Sequence, residues 1–364
     1  MPLSNYQPER YEALLQEKCE ATLALFDELD VPPPHIVGST HSAYRMRAEF
    51  RIWHQGDDLF YAMFSPQAPR TPVPISEFPI ASERIQHAMP ALREALLPDP
   101  ILRRKLFQVE FLSTLSNQLL ISLIYHRPLD DAWELAAAPL EQLLDAHIIG
   151  RSRKQKRVLS QDYVDETLPL AQGHYHYRQY EQGFTQPNAR VNCAMIDWAS
   201  ERAESLGGDL LELYCGNGNF TLPLSKRFNA VLATEVAKSS MKAALHNCER
   251  NGIDNLQLAR LSAEEVSSAL AGEREFRRLQ ALDKSLSDYS FSTVFVDPPR
   301  AGLDPATTAL VSGFDNILYI SCNPQTLVDN LQEISPTHRV TDLAMFDQFP
   351  YTHHMEVGVL LQRR

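Results

Sequence analysis

Five short apolar runs alternate with helical patterns through the second half of the chain. They are DLLELY (209–214), AVLATE (230–235), NLQLAR (255–260), TVFVDPP (293–299) and NILYIS (316–321). A regular succession of strand, loop and helix is typical of a mostly parallel, doubly wound sheet. The sequence therefore predicts an α/β, Rossmann-like fold, with its ligand site at the carboxyl ends of these strands.

The first half of the chain follows a different pattern, in which strands cluster and helices stand apart. The expected elements are helices over 8–30, 82–97 and 130–146, a hairpin over 43–64, and strands near 106–113 and 119–125. This pattern favours an α+β module. The stretch HYHYRQY (174–180) is aromatic and basic and could stack on bases, but a strand packed at a domain joint is the more common outcome for such a pattern. We expect two domains, residues 1–180 and residues 181–364.

The charge of the chain limits how it can meet nucleic acid. A net charge of −12 argues against a protein that coats nucleic acid indiscriminately. Contact must then come from local basic patches, and the candidates are Arg45/Arg47/Arg51, Arg103–Lys105 and the RSRKQKR run of 151–157. The three arginines of the first patch alternate with apolar residues and so share one strand face, for which ordinary solvation is the alternative.

Cysteine usage and hydropathy limit the compartment. The 5 cysteines are scattered and form no CxxC pair, so neither a zinc knuckle nor an iron–sulfur cluster is expected. No apolar run approaches the length of a membrane span, and the N-terminal stretch lacks an apolar signal core. We expect a cytoplasmic protein without a metal site.

A glycine-rich turn follows the first strand of the second half. CGNGNF (215–220) joins that strand to a helix, which lets backbone approach a ligand closely. Thr221 stands where a dinucleotide fingerprint would have its third glycine. Glu235 ends the next strand, where a carboxylate can accept hydrogen bonds from ribose hydroxyls. This combination suits S-adenosylmethionine better than NAD, and the alternative is a tight turn beside a solvated acid.

The fourth strand runs into DPPR (297–300), with Asp297 at the carboxyl end of the sheet. Two consecutive prolines fix the backbone and remove two N–H donors, which predicts a rigid loop edge. Enzymes that methylate exocyclic amines often have an aromatic residue after such a loop. Arg300 occupies that place here, and its guanidinium can reach a phosphate or a base edge.

A cysteine follows the fifth strand in YISCNPQTL (319–327). Most cysteines are small buried apolar residues. Cys322, however, lies beside the same crevice, with Asn323 as the expected N-cap and Pro324 in the first helical turn. The partial positive charge of a helix N-terminus favours a thiolate there. These features predict a nucleophile.

A thiolate is needed if the methyl acceptor is carbon. C5 of a pyrimidine is a poor nucleophile until a thiolate adds to C6, and a base must later remove the C5 proton. In YTHHMEVGVLL (351–361), Glu356 begins the final strand, which is expected to return beside the fifth. Glu356 is therefore the candidate base, with His353 and His354 as rivals.

Several long motifs together resemble the RNA 5-methyluridine methyltransferase family. They are YRMRAEFRIWH (44–54), KLFQVEFLSTLSNQ (105–118), GFTQPN (183–188), LLELYCGNGNF (210–220), FVDPPRAGLD (295–304), YISCNPQTL (319–327) and FDQFPYTHHMEVGVLL (346–361). The resemblance implies a methyltransferase domain after an RNA-binding domain. It implies Cys322 as nucleophile and Glu356 as base. The positions it assigns to S-adenosylmethionine are Gln186, Tyr214, Asn219, Glu235 and Asp297.

The reaction expected from this resemblance is methylation of C5 of a uridine flipped out of the T-loop of tRNA, through a covalent Cys322–C6 adduct. The candidate RNA contacts are Arg45, Arg47, Arg51, Phe107 and Arg300. We expect a monomer whose partner is the tRNA T-arm, with other RNAs that carry a T-loop-like hairpin as further substrates.

Three alternatives stay open at the level of sequence. The first is the same chemistry on another structured RNA. The second is a cytosine-5 methyltransferase, although such enzymes usually carry their cysteine after the fourth strand, where this chain has DPPR. The third is an RNA chaperone activity, either alone or accompanying catalysis.

Overall fold

The computed structural model describes residues 5–65 and 68–364. The helices are α1 (Tyr11–Leu23), α2 (Glu83–Leu96), α3 (Pro100–Arg103), α4 (Asp131–Leu144), α5 (Ala189–Ala203), α6 (Thr221–Ser225), α7 (Lys238–Asn251), α8 (Ala263–Leu270), α9 (Arg277–Gln280), α10 (Pro305–Val311) and α11 (Pro324–Ile334). The strands are β1 (His35–Val37), β2 (Arg47–Gln55), β3 (Asp58–Ser65), β4 (Ala68–Ile75), β5 (Leu106–Ser113), β6 (Leu119–Tyr125), β7 (His147–Ser152), β8 (Gln155–Val158), β9 (Tyr163–Leu170), β10 (Gly173–Tyr180), β11 (Asp209–Leu213), β12 (Val231–Thr234), β13 (Leu256–Ala259), β14 (Phe291–Val296), β15 (Asn316–Ser321), β16 (His338–Phe346) and β17 (Glu356–Arg363).

The chain forms two compact units. The first contains Thr40–Thr167 and Arg178–Ala189, and the second contains Arg10–Ser39, Leu168–Tyr177 and Arg190–Arg364. The chain passes between the units inside β9 and β10, which pair as a two-stranded ribbon. This division differs from the expected boundary at residue 180, because the first helix belongs to the second unit.

Packing explains where the first helix goes. β1, which follows α1, pairs in parallel with β16, and Val37 lies opposite Phe346. Cys19 and Phe26 are buried in the same hydrophobic core as Val357 of β17. The apolar face of residues 8–30 predicted the helix, but the sequence pattern alone did not show which sheet that face would cover.

The first unit is built on a sheet in the order β4-β3-β2-β5-β6-β7-β8. β6 and β7 are parallel, and the other neighbours are antiparallel. The apolar residues of β2 alternate into a core in which the Phe50 ring lies 5.1–6.3 Å, centroid to centroid, from Tyr61, Phe78 and Phe111. The predicted α+β module is confirmed in its elements.

The second unit is built on a sheet in the order β1-β16-β17-β15-β14-β11-β12-β13. β11 to β15 are parallel to their neighbours in that group, and β17 is antiparallel to both β15 and β16. Every residue of β11 and β15 is buried, as expected for strands covered on both faces. The doubly wound fold is confirmed. The strand order reverses around β11, and a crevice outside the carboxyl ends of the strands is expected there.

Hydropathy adds one limit to this description. In the part of the chain that the structure describes, no helix has the length and apolarity that crossing a bilayer requires.

Candidate active site

Cys322 comes directly after β15 and directly before Asn323, the N-cap of α11. β15 is buried throughout, whereas Cys322 is only partly buried. Asn323 holds the N-cap position as expected, but its side chain makes no cap and instead donates to the Arg300 carbonyl over 3.0 Å. The Thr326 hydroxyl donates to the same carbonyl at 3.3 Å. These contacts fasten the DPPR loop beside the cysteine.

Glu356 lies on the strand that neighbours Cys322. β15 and β17 are antiparallel, with Ser321 opposite Val357. The next position in this register pairs Cys322 with Glu356. Glu356 is 3% exposed, so its carboxylate is buried at the edge of the sheet where β15 ends. The thiol and the candidate base therefore meet through strand pairing, without depending on a flexible loop.

The charges around Cys322 oppose the expected thiolate. Burial raises the pKa of Cys322 to about 11, with further increases from Glu356 and Asp297 and a decrease from Arg300. The expectation of a lowered pKa is wrong for the free protein. The two carboxylates and the loss of hydration outweigh the helix N-terminus and Arg300.

The neighbouring acids are shifted in the same direction. Burial, and then the charge of Asp297, raise the pKa of Glu356 to about 8, and Arg300 lowers it. Burial raises the pKa of Asp297 to about 7. Groups that titrate near neutrality in a crevice are candidates for proton transfer. Cys322, Glu356, Asp297 and Arg300 thus form one electrostatic cluster.

His353 and His354 are less suited to the base role. His353 is exposed. Nε2 of His354 lies 3.5 Å from Nη2 of Arg300. Burial lowers the pKa of His354, and the charges of His353, Arg300 and Lys18 lower it further. Glu356, in register with the thiol, remains the better candidate.

The glycine-rich turn after β11 is preformed. Tyr214, Gly216 and Gly218 have positive φ values of 62°, 56° and 86°. The Gly216 N–H donates to Oε2 of Glu235 over 3.1 Å, so the ends of β11 and β12 are tied together. Asn219 exchanges two side-chain hydrogen bonds of 2.9 Å with Asn192. The turn is thereby held open for a ligand.

This edge of the sheet fits a nucleoside cofactor. A side chain added at Gly216 would meet no atom within 4 Å, so the turn borders open space. Among the described residues, no group hydrogen-bonds to the Asp297 carboxylate. Asp297 follows β14 and Glu235 follows β12, and these two strands flank β11 in the sheet. In this architecture a glycine-rich first turn lets backbone approach the ligand, and an acid after the second strand hydrogen-bonds the ribose.

Comparison of the sequence with known proteins identifies its family. The sequence model of the family described as tRNA (Uracil-5-)-methyltransferase matches residues 10–364. The chain belongs to this family.

Relatives within the tRNA (uracil-5-)-methyltransferase family are similar over almost the full length. The tRNA/tmRNA (uracil-C(5))-methyltransferase of Cellvibrio japonicus is 54% identical over 361 residues, which cover 99% of this chain and 98% of that protein. The protein of the same name from Neisseria meningitidis is 54% identical over 357 residues, covering 97% and 99%. The predicted family and enzyme class are confirmed.

A solved structure supports the fold. The crystal structure of Pyrococcus abyssi tRNA (uracil-54, C5)-methyltransferase in complex with S-adenosyl-L-homocysteine matches with a TM-score of 0.74 at 20% identity. The match covers 96% of this chain and 83% of that one. At this identity the likeness confirms the fold class alone.

The site residues predicted for this family member fall in both units. Cys322, Glu356, Asp297, Tyr214, Asn219, Glu235 and Arg300 lie in the second unit, and Gln186 lies in the first. Gln186 directly precedes Pro187, whose carbonyl accepts a hydrogen bond of 2.8 Å from the Met46 N–H just before β2. Its assignment to the cofactor remains a prediction from the family motif.

The three arginines near β2 differ in their surroundings. Arg51 is exposed, whereas Arg45 and Arg47 are half-buried. Arg47 donates to the carbonyls of Glu181 and Gly183 at 3.0 and 2.9 Å, and Arg45 donates to the Arg47 carbonyl at 2.8 Å. Burial lowers the pKa of both half-buried arginines. Arg51 is therefore the accessible member of the three, and their role in RNA contact remains a prediction.

Phe107 already has partners on its ring. It is the extra residue of a bulge between β5 and β6. The Arg51 guanidinium carbon lies 3.7 Å from the ring centroid, and the His126 ring stacks on it at 3.9 Å. Two groups this close must occupy opposite faces. An RNA nucleobase would therefore stack on the outer side of Arg51 or His126 in this Arg51–Phe107–His126 stack. To reach the Phe107 ring itself, it would have to displace one of them.

The basic run of 151–157 is largely neutralised within the first unit. Arg151 pairs with Glu181 at 2.5 Å, and Lys156 pairs with Asp162 at 2.7 Å. Arg157 pairs with Glu134 at 2.6 Å. Arg153, Lys154 and Lys156 are the exposed cations of this run, and the first two lie at the turn between β7 and β8 without a part in these ion pairs.

Sequence reasoning missed several residues around the site. His126 carries no local signal, because its partner Phe107 is brought to it by strand pairing. Glu212 lies inside the buried strand β11, where a charged residue among apolar ones was a visible signal. Burial, together with the charge of Asp297, raises the pKa of Glu212 to about 8. Lys18 also lies far from the motifs, and its role is taken up below.

Proposed function

We propose that this protein methylates C5 of a uridine in the T-loop of tRNA, forming 5-methyluridine with S-adenosylmethionine as the methyl donor. The observation that supports this most strongly is the register of β15 and β17, which pairs the Cys322 position with Glu356. A nucleophile beside a buried acid meets the two requirements of carbon methylation, which are activation of C5 and removal of its proton.

The chemistry assigns one role to each side chain. The Cys322 thiolate forms a bond to C6, and the C5–C6 π electrons move towards C5 and O4. S-adenosylmethionine supplies the methyl group as an electrophile. The Glu356 carboxylate then takes the C5 proton, the C5–C6 double bond re-forms, and the sulfur–C6 bond breaks with its electrons returning to Cys322. Glu356 releases its proton to solvent before the next cycle.

The raised pKa of Glu356 suits the proton transfer, whereas the raised pKa of Cys322 opposes formation of the thiolate. A carboxyl with a pKa of about 8 holds the C5 proton more firmly than an ordinary glutamate would, which favours its abstraction. Arg300 is the cation that offsets the carboxylates around the thiol. We assign Arg300 to the crevice, where it can also contact the flipped nucleotide.

The cofactor role falls on the turn after β11 and its neighbours. Glu235 is suited to the ribose hydroxyls, and Tyr214, Asn219 and Asp297 surround the same edge of the sheet. Gln186 joins them by family motif. These residues bind and orient the donor, and none of them is required to transfer a proton.

The first unit is suited to gripping RNA. The target carbon is covered by stacking in a folded loop, so the uridine must be flipped out before Cys322 can reach it. Arg51, Phe107 and His126 offer a cationic and aromatic surface for the displaced loop. Arg45 and Arg47 stabilise the backbone near the start of β2 through hydrogen bonds to carbonyls. We expect the protein to act as a monomer in the cytoplasm, where tRNA is available.

The choice of tRNA rests on the relatives. The similar proteins from Cellvibrio japonicus and Neisseria meningitidis are named for tRNA and tmRNA. A tmRNA-like RNA with a T-loop hairpin is therefore a second substrate class. The Pyrococcus abyssi protein is named for uracil-54.

The test uses labelled S-adenosylmethionine, with unmodified tRNA, an isolated T-arm hairpin and a ribosomal RNA fragment at equal concentration and salt. We expect 5-methyluridine in the tRNA and the hairpin, and none after the target uridine is changed to cytidine. Preference for the ribosomal fragment would contradict the substrate. RNA annealing without methyl transfer would instead favour a chaperone.

A further inference from the structure

A buried lysine from α1 holds the connection that leads into Glu356. The Lys18 side chain is 7% exposed. Its ammonium donates to Oδ1 of Asp347 at 2.5 Å and to the carbonyls of Phe349 and His354, each at 3.0 Å. An ammonium has three donors, so all are used. They fasten both ends of the 347–354 connection between β16 and β17.

Asp347 is held from several directions by the same part of the chain. The Tyr11 hydroxyl donates to its Oδ2 at 2.9 Å, and the Ser39 N–H donates to the Tyr11 oxygen at 2.6 Å. The Asp347 N–H donates to the Val37 carbonyl at 2.9 Å. The Asp347 side chain is 1% exposed. Together these contacts form an anchor made of Lys18, Tyr11 and Asp347.

The connection has a shape that needs such support. Tyr351 adopts a left-handed φ of 62°, which is unfavourable for a residue with a side chain. The Tyr11 ring packs edge-on against the Tyr351 ring at 5.9 Å. The Thr352 hydroxyl donates to the Phe349 carbonyl at 2.7 Å. The conformation is thus maintained by α1 as well as by the connection itself.

The far end of the connection enters the reactive cluster. His354, whose carbonyl Lys18 holds, has its ring 3.5 Å from the Arg300 guanidinium. Two residues later, Glu356 occupies the register position opposite Cys322. A shift at 354 would therefore move both the partner of Arg300 and the start of β17.

We propose that Lys18 is a positioning residue for proton abstraction, because it pins the 347–354 connection and so aligns Glu356 and the His354–Arg300 contact with Cys322. The inference rests on the proposed function. It assigns the N-terminal helix to catalysis, although the sequence pattern placed it with the RNA-binding domain. All the residues involved lie in the second unit.

The inference predicts a specific kinetic defect. None of these hydrogen bonds reaches the 214–220 turn, so binding of S-adenosylmethionine is preserved when the anchor is lost. Formation of the Cys322 adduct still occurs, because Cys322 is placed by β15. Removal of the C5 proton slows, so the methylated adduct persists.

The experiment compares K18M/D347N with a matched pair, K284M/D209N. The double change removes both charges and leaves neither one buried alone. Lys284 and Asp209 form a pair of 2.8 Å at the start of β11, away from the carboxyl edge of the sheet. Both variants and the unaltered protein are assayed for tRNA methylation, adduct on denaturing gels and cofactor affinity by calorimetry, at a temperature where each is folded by circular dichroism.

We expect K18M/D347N to turn over at least tenfold more slowly and to accumulate adduct, with cofactor affinity within twofold of the unaltered protein. The matched pair should remain within twofold in every measurement. Turnover within twofold for K18M/D347N would overturn the inference. A loss of activity that merely follows a parallel loss of cofactor binding would overturn it as well.

A milder variant covers the case in which K18M/D347N does not fold. Y11F removes one hydrogen bond to Asp347 and keeps the ring against Tyr351. We expect turnover to fall two- to fivefold, with adduct again enriched, and full activity of Y11F would overturn the inference. If the unaltered protein itself fails to methylate tRNA, it is the proposed function that fails.

Discussion

Cys322 and Glu356 lie opposite each other, one register position beyond the antiparallel pair Ser321–Val357. Cys322 follows the last residue of β15, and Glu356 is the first residue of the neighbouring strand β17. Strand pairing is more rigid than a loop, so the separation of the proposed nucleophile and the proposed base is fixed before any substrate binds. The cost is electrostatic, because Glu356 adds to the effect of burial in raising the pKa of the Cys322 thiol.

The first prediction concerns the nucleophile. C322A should reduce methyl transfer by at least about a thousandfold, because no other group can add to C6. Cofactor affinity should stay within about twofold, since the turn after β11 is untouched. Methylation kinetics and calorimetry measure the two effects. C248A, which removes another cysteine of the same unit, is the control. Methylation by C322A within tenfold of the unaltered protein would remove Cys322 from the nucleophile role.

The second prediction concerns the ribose acid. E235A should weaken S-adenosylmethionine binding by about tenfold to a hundredfold, since a hydrogen bond to a charged group contributes roughly 1.5–3 kcal/mol. RNA affinity should change little. E333A, at an exposed site on α11, is the control. Unchanged cofactor affinity in calorimetry would refute the role of Glu235.

The third prediction concerns pH. Glu356 must be deprotonated to accept the C5 proton, and its pKa is raised to about 8. The pKa of the Cys322 thiol is also raised, to about 11. The value of kcat/KM should therefore rise with pH between about 6 and 9.

Arg300 lowers the pKa of both groups, so R300M should move this rise to higher pH, and R339M should not. The pH profile of kcat/KM is the measurement. A profile that is flat, or that falls across this range, would contradict the base assignment. An unmoved midpoint in R300M would contradict the electrostatic role of Arg300.

The fourth prediction separates two neighbouring arginines. R51M should flatten the dependence of log affinity for RNA on log salt, by about 0.7 if one phosphate contact to a single strand is lost. R47M should leave that slope unchanged. It should instead lower the free energy of unfolding by about 1–3 kcal/mol, because it removes hydrogen bonds to two carbonyls. Salt titrations and denaturant unfolding check both outcomes. A changed slope in R47M, with unaltered stability, would reverse the two roles.

The sequence predicted the strands and helices around the candidate site well because their motifs are local. YISCNPQTL contains the end of a buried strand, a cysteine and a helix start within nine residues. CGNGNF likewise marks the turn between a strand and a helix within one short motif. The helical and strand periods of the first half also predicted its elements. Each of these features depends on neighbours in the chain.

What the sequence did not predict depends on distant contacts. The raised pKa of Cys322 comes first from burial and then from the charges of Glu356 and Asp297, which strand order brings near it. The sequence pattern places Arg47 among surface cations, but its guanidinium donates hydrogen bonds to the backbone carbonyls of Glu181 and Gly183. The helix at 11–23 was expected with the first domain because it comes first in the chain, but its apolar face covers the other sheet.

The most direct test of the central claim, that Cys322 attacks and Glu356 removes the proton, is the mass of the covalent complex formed by E356Q. The variant is incubated with unmodified tRNA and S-adenosylmethionine, denatured and digested with ribonuclease, and the mass of the protein is measured by mass spectrometry. C322A/E356Q is the control. The account predicts a protein–RNA adduct that survives denaturation and carries one extra methyl group, and no adduct in the control. Normal turnover by E356Q, or an adduct that lacks the methyl group, would contradict it.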